Sequence, residues 1–551
     1  LPTGPISPQS TPGSDQTLSN KPEIYTYPSQ FGTLILSIRE GKDVHLFLYQ
    51  PFLESSAGAG FTALPLTRIT TGPQQDITPS ISPDGSKIAF SSNRNGPWDI
   101  YILDLLAGET WQFTDTSAYD GNPTWSPDGQ WLAYESYHLN NLEIIIQDIN
   151  QTSGPIPLTN HPGADYAPSW SGHGRRISFV STRSGVQEIW YADLDSREED
   201  KAVRVKNLPG QAVKHPTWSS DGRYLTWAVI TQEGNHSLVT WDSQYPGKDP
   251  VLEGTGDWPI WSGSGEILFS IVERPFDTYL TGYPGFQGDF QIMLPAIQLP
   301  GPVEGISWVE GLSYSLQSDL NQGPEPTALW NPINQTENGY SEEKKSLIQL
   351  RNLTAPSPKF IQDAVGSFSS LQMAVENSLG WDFLSTLENA YVAPNTHVPP
   401  GINLDWLYTG RGLMINDIPR QANWMVLVKE DYICHTYWRV YVRANTQQGL
   451  HGQPLHDYPW DFNARYSGSN LNYENGGTKS KNIPPGYWVD FTELAEAYGW
   501  HRFPAESYWQ FSELASRYQY FAFTQHLELR SALLQLYSAS EIQDLDNSPN
   551  P

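Results

Sequence analysis

One cysteine, Cys434, stands in a chain of 551 residues, so neither an internal disulfide framework nor a zinc site built on paired thiolates is available. Basic residues are scarce: 32 Lys and Arg face 60 Asp and Glu, for a formal charge of −28. Nucleic acid and anionic membrane both reward clustered Lys and Arg, so neither is expected as a partner. The longest apolar stretches, such as Thr33 to Ile38, are strand-sized. They fall far short of the ~18 residues of a spanning helix, and no transmembrane segment is expected. The sequence has no H-E-x-x-H and no H-x-H, which removes the usual histidine zinc patterns. No cofactor, no metal ligand and no catalytic residue is therefore assigned.

The first thirty residues, from Leu1, are a Pro/Ser/Thr/Gly tract with too few apolar side chains to build a core. Without an initiator methionine ahead of it, this segment (1–30) reads as the start of a mature exported protein, extended or disordered. Sequons occur at Asn150, Asn235, Asn334 and Asn352, at the frequency that a chain rich in Asn, Ser and Thr produces by chance.

A phrase then recurs. "PTWSPDGQWLAY" from Pro123 is echoed by "PSISPDGSKIAF" from Pro79, "PSWSGHGRRISF" from Pro168, "PTWSSDGRYLTW" from Pro216 and "PIWSGSGEILFS" from Pro259. A fainter copy, "GISWVEGLSYSL", starts at Gly305. The period of about 45 residues is that of propeller blades. Each unit reads as a strand ending on an aromatic, a tight Asp-Gly or Gly turn, and an alternating strand. A third strand such as "WDIYILDL" from Trp98 and a weaker fourth such as "WQFTD" from Trp111 complete it. Before Ile81 the chain supplies "GTLILSIRE", "DVHLFLYQP" and "LPLTRITT", a second, third and fourth strand without a first. The copy at Trp308 would provide the missing one. The expected architecture is an all-β six-bladed propeller over residues ~31–315, closed by strands from both ends so that no sheet edge is left free.

The Trp-Ser-Pro-Asp-Gly phrases, followed by an apolar strand ending in Ser-x-Arg and a "DIYhhDL"-type strand (h apolar), resemble the TolB-like propellers, a WD40-like repeat of many exported bacterial proteins. The resemblance spans about half the chain. It implies a binding role towards other envelope proteins; related propellers precede peptidase domains of the α/β-hydrolase type, which need a G-x-S-x-G elbow that does not occur after residue 315. The family's Asp ahead of each phrase is matched by Asp76, Asp120 and Asp165, while Val213 and Gly256 stand in the next two copies. Its expected role is to cap the turn between blades.

Residues 316–365, rich in Pro, Asn, Gln and Glu, read as a linker, packed in part through Leu329 and Trp330. A separate α+β domain is expected over 366–540, with a tail at 541–551. Its opening "SLQMAVENSLGWDFLSTLENAYV" predicts a helix with Leu371, Met373, Ala374, Leu379, Phe383 and Leu387 on one face. Strands "NWMVLVKED" and "YWRVYVRA" and short helices "DFTELAEAYGW", "FSELASRY" and "LRSALLQLY" follow. The segments "WLYTGRGLMIN" and "LAEAYGWHRFP" are similar to zinc D-alanyl-D-alanine carboxypeptidases. However, that family's His–Asp pair is missing and Asn416 stands where an acidic ligand would be sought. The resemblance implies a relative without the zinc site.

The densest polar cluster is "HGQPLHDYPWDFNARY", with His451, His456, Asp457, Trp460, Asp461 and Arg465. Aromatic faces beside hydrogen-bonding groups suit a glycan- or peptide-binding lip, but the favoured reading is an ordered loop whose Trp and Tyr pack on the domain while its polar groups satisfy loop backbone. Cys434 and His435 are strand neighbours and point to opposite faces, which disfavours a thiolate–imidazole pair. His397, His501 and His526 have no informative spacing. Two readings follow: an exported periplasmic, cell-surface or extracellular binding and assembly protein with a protein partner or self-association; or a cell-wall or glycan hydrolase acting in the C-terminal domain around His451 to Arg465, with Asp417 or Glu430 nearby.

Overall fold

The computed structural model describes residues 32–542, apart from 52–65, 173, 198–200, 209–211, 231–235, 275–276, 286–293, 313–343, 395, 397–405 and 433–434. Leu329, Trp330, His397, Cys434, Asn235, Asn334 and the tail from 543 onwards therefore lie outside the described residues.

From Thr33 to Val309 the chain forms four-stranded antiparallel sheets, each made of sequence-consecutive strands except the first. The innermost strands are Asp76–Ile81, Asp120–Trp125, Asp165–Trp170, Ala212–Trp218, Asp257–Trp261 and Val303–Val309. They touch in that order, and the last also contacts the first. The first sheet is made of Thr33–Glu40, Asp43–Tyr49 and Thr67–Arg68, and takes Val303–Val309 as its fourth strand, with Leu34 opposite Trp308.

The recurring phrase accounts for this geometry. In the turns, the Asp84 carboxylate accepts from Ser82 Oγ (2.6 Å) and Ser86 N–H (3.0 Å), and Asp128 does the same with Ser126 Oγ and Gln130 N–H. Gly85 and Gly129 supply the φ of +69° and +66° that the turn requires. Two of the repeat tryptophans then tie their sheets to a neighbour: Trp125 Nε1 donates to Ser80 O (2.9 Å) and Trp261 Nε1 to Thr226 Oγ1 (3.1 Å). Trp308 fills the space beside Gly32 and Gly263, where a Cβ would lie 2.5–2.6 Å from its ring.

The inner strands share a device absent from the sequence reading. Three residues before the aromatic, or before Ile81 in its place, each strand slips register, and the residue there has positive φ: Thr78 (49°), Asn122 (49°), Ala167 (51°), His215 (47°), Trp258 (50°) and Gly305 (148°). A bulge frees a backbone N–H from the ladder. A side chain of the preceding sheet takes it at two of these positions: Asn122 N–H donates to Ser91 Oγ (3.0 Å) and Ala167 N–H to Glu135 Oε2 (2.7 Å). The Asp before the phrase is likewise more than a turn cap. Asp76 and Asp165 are fully buried and pair with Arg94 (2.8 Å) and Arg183 (2.6 Å) of their own sheets.

The C-terminal part starts earlier than composition indicates. Leu347–Gln349 pairs with Lys359–Ile361, and Leu353, Phe360 and Ile361 are buried in the core of the residues that follow, because apolar side chains punctuate this Pro- and Asn-containing stretch. The helix runs Gln362–Leu379, not into residue 392. Gly380 at φ 74° ends it, and its buried face is Ala364, Ser367, Phe368, Leu371, Val375 and Leu379, leaving Met373 exposed. Two four-stranded sheets complete this part: one holds Met425–Tyr432, His435–Arg443, Tyr487–Asp490 and Gln453–Pro454, the other Leu387–Asn389, Gly412–Ile415, Tyr520–Ala522 and His501–Arg502. Of the three short helices expected, Phe491–Ala497 and Leu529–Leu534 are α-helical, and the middle one shrinks to a 3-10 turn at Leu514–Ser516.

A left-handed residue with a Cβ costs about 1–2 kcal/mol relative to the right-handed region, whereas glycine gives back ~0.5–1 kcal/mol in chain entropy. Ala167→Gly keeps the N–H bond to Glu135 and is expected to raise unfolding free energy by roughly 0.5–1 kcal/mol, read as a higher denaturant midpoint. The same change at Ala89, which is buried in a regular strand, should lower it.

Candidate functional site

The starts of the inner strands gather polar groups at the mouth of the circle of sheets, and the C-terminal part covers them. His456 and Asp457 together contact three successive sheets. His456 Nε2 lies 2.9 Å from Glu135 Oε1. Its ring meets Tyr166 edge-on at 4.9 Å, and its carbonyl accepts from Tyr166 OH and Gln187 Nε2, both at 2.9 Å. Asp457 Oδ2 takes Lys214 Nζ at 2.9 Å. Beside them Tyr119 N–H donates to Tyr487 OH (3.2 Å), Gly486 N–H donates to Tyr137 OH (2.6 Å), and the Tyr137 and Tyr487 rings stack edge-to-face at 5.3 Å. Gly449 sits where a Cβ would meet Ser117 O at 2.6 Å, so the covering loop approaches the mouth backbone to backbone.

The electrostatics fit a paired, desolvated seam. Glu135 is fully buried and also accepts from Tyr119 OH (3.0 Å). Burial alone would raise its carboxyl, but the His456 imidazole outweighs this and holds it below the usual 4.5. Burial opposes the charge on His456 as well, and Glu135 overrides it, lifting the ring above 6.5. Against the same opposing burial, Lys214 holds Asp457 down at about 2 and Asp457 lifts Lys214 to about 12.

A second group of charges closes the far side. Arg39 Nη2 contacts Glu304 (2.9 Å) and Glu493 (3.0 Å), and Arg439 reaches Glu493 (3.6 Å), Glu430 (2.6 Å) and Asp490 (2.8 Å). Burial and the neighbouring Glu304 push Glu493 up, whereas Arg39 holds Glu304 down. Glu273, beside Glu304 and Asp257, is pushed up to about 7 by burial and by those two carboxylates. In the sheet that begins with Asp257–Trp261, Gly256 yields the acidic position to its neighbour. Asp257 accepts from Trp258 N–H (2.8 Å) and lies 2.6 Å from His215 Nδ1 and 3.4 Å from His236 Nδ1. The His215 and Trp258 rings are stacked at 3.5 Å.

The other members of the sequence cluster go elsewhere. Trp460 packs on Trp438 (6.0 Å) and Trp509 (5.9 Å). Asp461 caps a 3-10 turn by accepting from Asn463 N–H (2.9 Å). Arg465 is buried and donates to Gly476 O (3.1 Å). His451 is half-buried on the covering loop. Of the carboxylates considered for hydrolysis, Glu430 is gripped by Arg439 and by Arg502 (2.7 Å), and Asp417 by Arg420 (2.6 Å) and Tyr518. His501 and His526 are neighbours: burial, then His526, lowers the His501 imidazole. Among the described residues no group of three or more His, Cys, Asp or Glu could hold a metal ion.

Glu135, Lys214, Arg39, Glu304 and Glu493 escaped sequence reasoning. Glu135 did leave a signal: aligned on the strand pairings, it occupies the place held by Ser91, Val180, Ala228 and Ile271 in the other repeats.

Repeated four-stranded sheets with aromatic-ended inner strands in a closed succession define a β-propeller. A family model described as "TolB beta propeller domain" matches residues 63–153, and the chain carries a TolB-like propeller. The Tol-Pal system protein TolB of Desulfosudis oleivorans is 35% identical over 105 residues, which are 19% of this chain and 24% of that protein. A TolB homolog of Chlorobaculum tepidum is 37% identical over 194 residues, 35% of this chain and 41% of the relative. The chain thus spans less than half the length of either relative. The crystal structure of Acinetobacter baumannii TolB superposes with a TM-score of 0.43 at 19% identity, covering 50% of this chain and 66% of that one.

Two outcomes follow. Both partners of the His456–Glu135 pair are charged between about pH 4.5 and 6.5, so the pair's contribution is complete there. It is lost as pH rises through the raised His456 value and as it falls through the depressed Glu135 value. His456→Gln should lower stability by roughly 2–3 kcal/mol near pH 6, less than for an isolated buried pair because Glu135 keeps two other donors. The deficit should shrink in melting curves as the pH is raised through the His456 titration. Glu273, raised to about 7, opposes folding when ionised. Glu273→Gln should be neutral at pH 5 and stabilising by on the order of 2–3 kcal/mol at pH 9.

Proposed function

We propose that this protein is an exported binding and assembly protein of the cell envelope, built on a six-bladed TolB-like propeller whose first blade is completed from both ends. A separate α+β domain follows the propeller. The observation that carries the reading is the occupied mouth. A polypeptide loop is seated there by an imidazole on Glu135 (2.9 Å), a carboxylate on Lys214 (2.9 Å) and backbone groups on Tyr166 and Gln187. Such a mouth recognises protein by mixed charge and main-chain contacts, which favours specificity over bulk affinity. Its first client is the chain's own C-terminal domain, leaving the outer strands and the domain surface for others. The TolB relatives' membership of the Tol-Pal system supports a protein of the cell envelope as partner, in a periplasmic, cell-surface or extracellular setting. The paired state of Glu430 and Asp417 supports binding over hydrolysis.

The test is affinity purification of the tagged full-length chain from its native envelope and culture supernatant at physiological salt. A stoichiometric protein partner or a defined self-associated species is expected. A strictly monomeric chain that retains no partner after crosslinking overturns the proposal.

A further inference from the structure

The C-terminal part exposes aromatic rings away from the seam. Tyr466 is 77% exposed, Leu471 65%, Tyr473 54%, Tyr508 42% and Phe511 65%. They come from two segments that meet: Gly476, at φ +69°, lies so close to the second segment that a Cβ would sit 2.6 Å from Gln510 Cα. Across that contact the Tyr473 and Phe511 rings are 6.3 Å apart at 59°. Beneath them Trp509 is buried and wedged edge-on against Trp438 (5.2 Å) and Trp460 (5.9 Å), so the platform rests on a rigid aromatic base.

The polar groups on these two segments are mostly carboxamides and hydroxyls. Asn470, Asn475 and Ser469 are exposed, and Asn472 and Gln510 half-exposed. Across residues 466–478 and 508–512 the only charged side chain is Glu474, in a chain of net charge −28. Exposed rings keep their apolar faces in water at a free-energy cost that a ligand with matching C–H faces would relieve. Carboxamides both donate and accept, which matches hydroxyl groups. A near-absence of charge means little ionic desolvation on binding. A sugar ring presents this combination of C–H face and equatorial hydroxyls.

We propose that the surface around the Tyr473–Phe511 ring contact, flanked along the two segments by Tyr466, Tyr508, Asn470 and Asn475, binds an uncharged glycan chain. The site is distinct from the His451 to Arg465 cluster, whose members serve the seam and the core. It goes beyond the assembly role and does not depend on it, since a chain without a protein partner could still bind glycan here.

The experiment uses the full-length chain with neutral oligosaccharide probes: cellohexaose, xylohexaose, mannohexaose and chitohexaose, in titration calorimetry and affinity electrophoresis. At least one probe is expected to bind. Tyr473→Ala and Phe511→Ala should each weaken binding by roughly tenfold or more, with unchanged melting temperature because both side chains are exposed. Ile418→Ala, an exposed apolar side chain outside the platform, should bind as the parent does. The proposal is overturned if no probe binds, if Tyr473→Ala and Phe511→Ala both bind like the parent, or if Phe511→Ala abolishes a dimer, which would make a second copy the occupant.

Discussion

The structure depends on a backbone constraint at the start of each innermost strand. The register slip there places a residue in the left-handed region, and for Thr78, Ala167, His215 and Trp258 this is not the conformation their side chains prefer. The neighbouring sheet holds the strain by accepting the displaced N–H, through Ser91 under Asn122 and Glu135 under Ala167. One consequence is packing: adjacent inner strands interlock at their bulges, as where Gly305 has no room for a Cβ against Thr78 and Pro79. The other is chemical, because the bulge turns polar residues to the mouth where an even ladder would have alternated them away.

The mouth is then a place where burial and charge must be reconciled, and it is covered by groups of complementary sign. Glu135 meets His456, Lys214 meets Asp457, and Arg39 meets Glu493. Buried ion pairs contribute little to stability overall but penalise every misplacement heavily. Their value here is registration: the C-terminal part can sit in one orientation without leaving a charge unpaired. Glu273 and Glu493, which lie among other carboxylates, are pushed towards the protonated form.

How much of this was legible follows from distance along the chain. The four-strand repeat is written locally, in turn chemistry and aromatic spacing within about 45 residues, and the strands of the C-terminal part are equally local. The helix at 362–379 was misplaced because its true face starts with Ala364 and includes Ser367, a small polar residue that periodicity does not count as core; Gly380, its stop, sits in plain view. The polar loop at His451 to Arg465 was visible as a cluster, but its fate was not. His456 and Asp457 find partners 321 and 243 residues away, while Trp460 and Arg465 turn into the C-terminal part itself. Glu135 could have been noticed as the one charge in an otherwise uncharged strand position, whereas nothing in Arg39 or Glu304 distinguished them from solvated surface residues.

The first sheet has a history as well as a shape. Arg39 and Glu304, which face each other across its innermost strand pair, are 265 residues apart. At ribosomal rates of ~5–20 residues per second, the edge of Thr33–Glu40 waits on the order of 15–50 seconds for its partner strand to be made. Throughout that interval it is an unpaired template of buried-type residues, Leu34, Ile35, Leu36 and Ile38. The circle is therefore closed by the element synthesised last among its strands, which makes an exposed β-edge the species that chaperones of the nascent chain would have to shield.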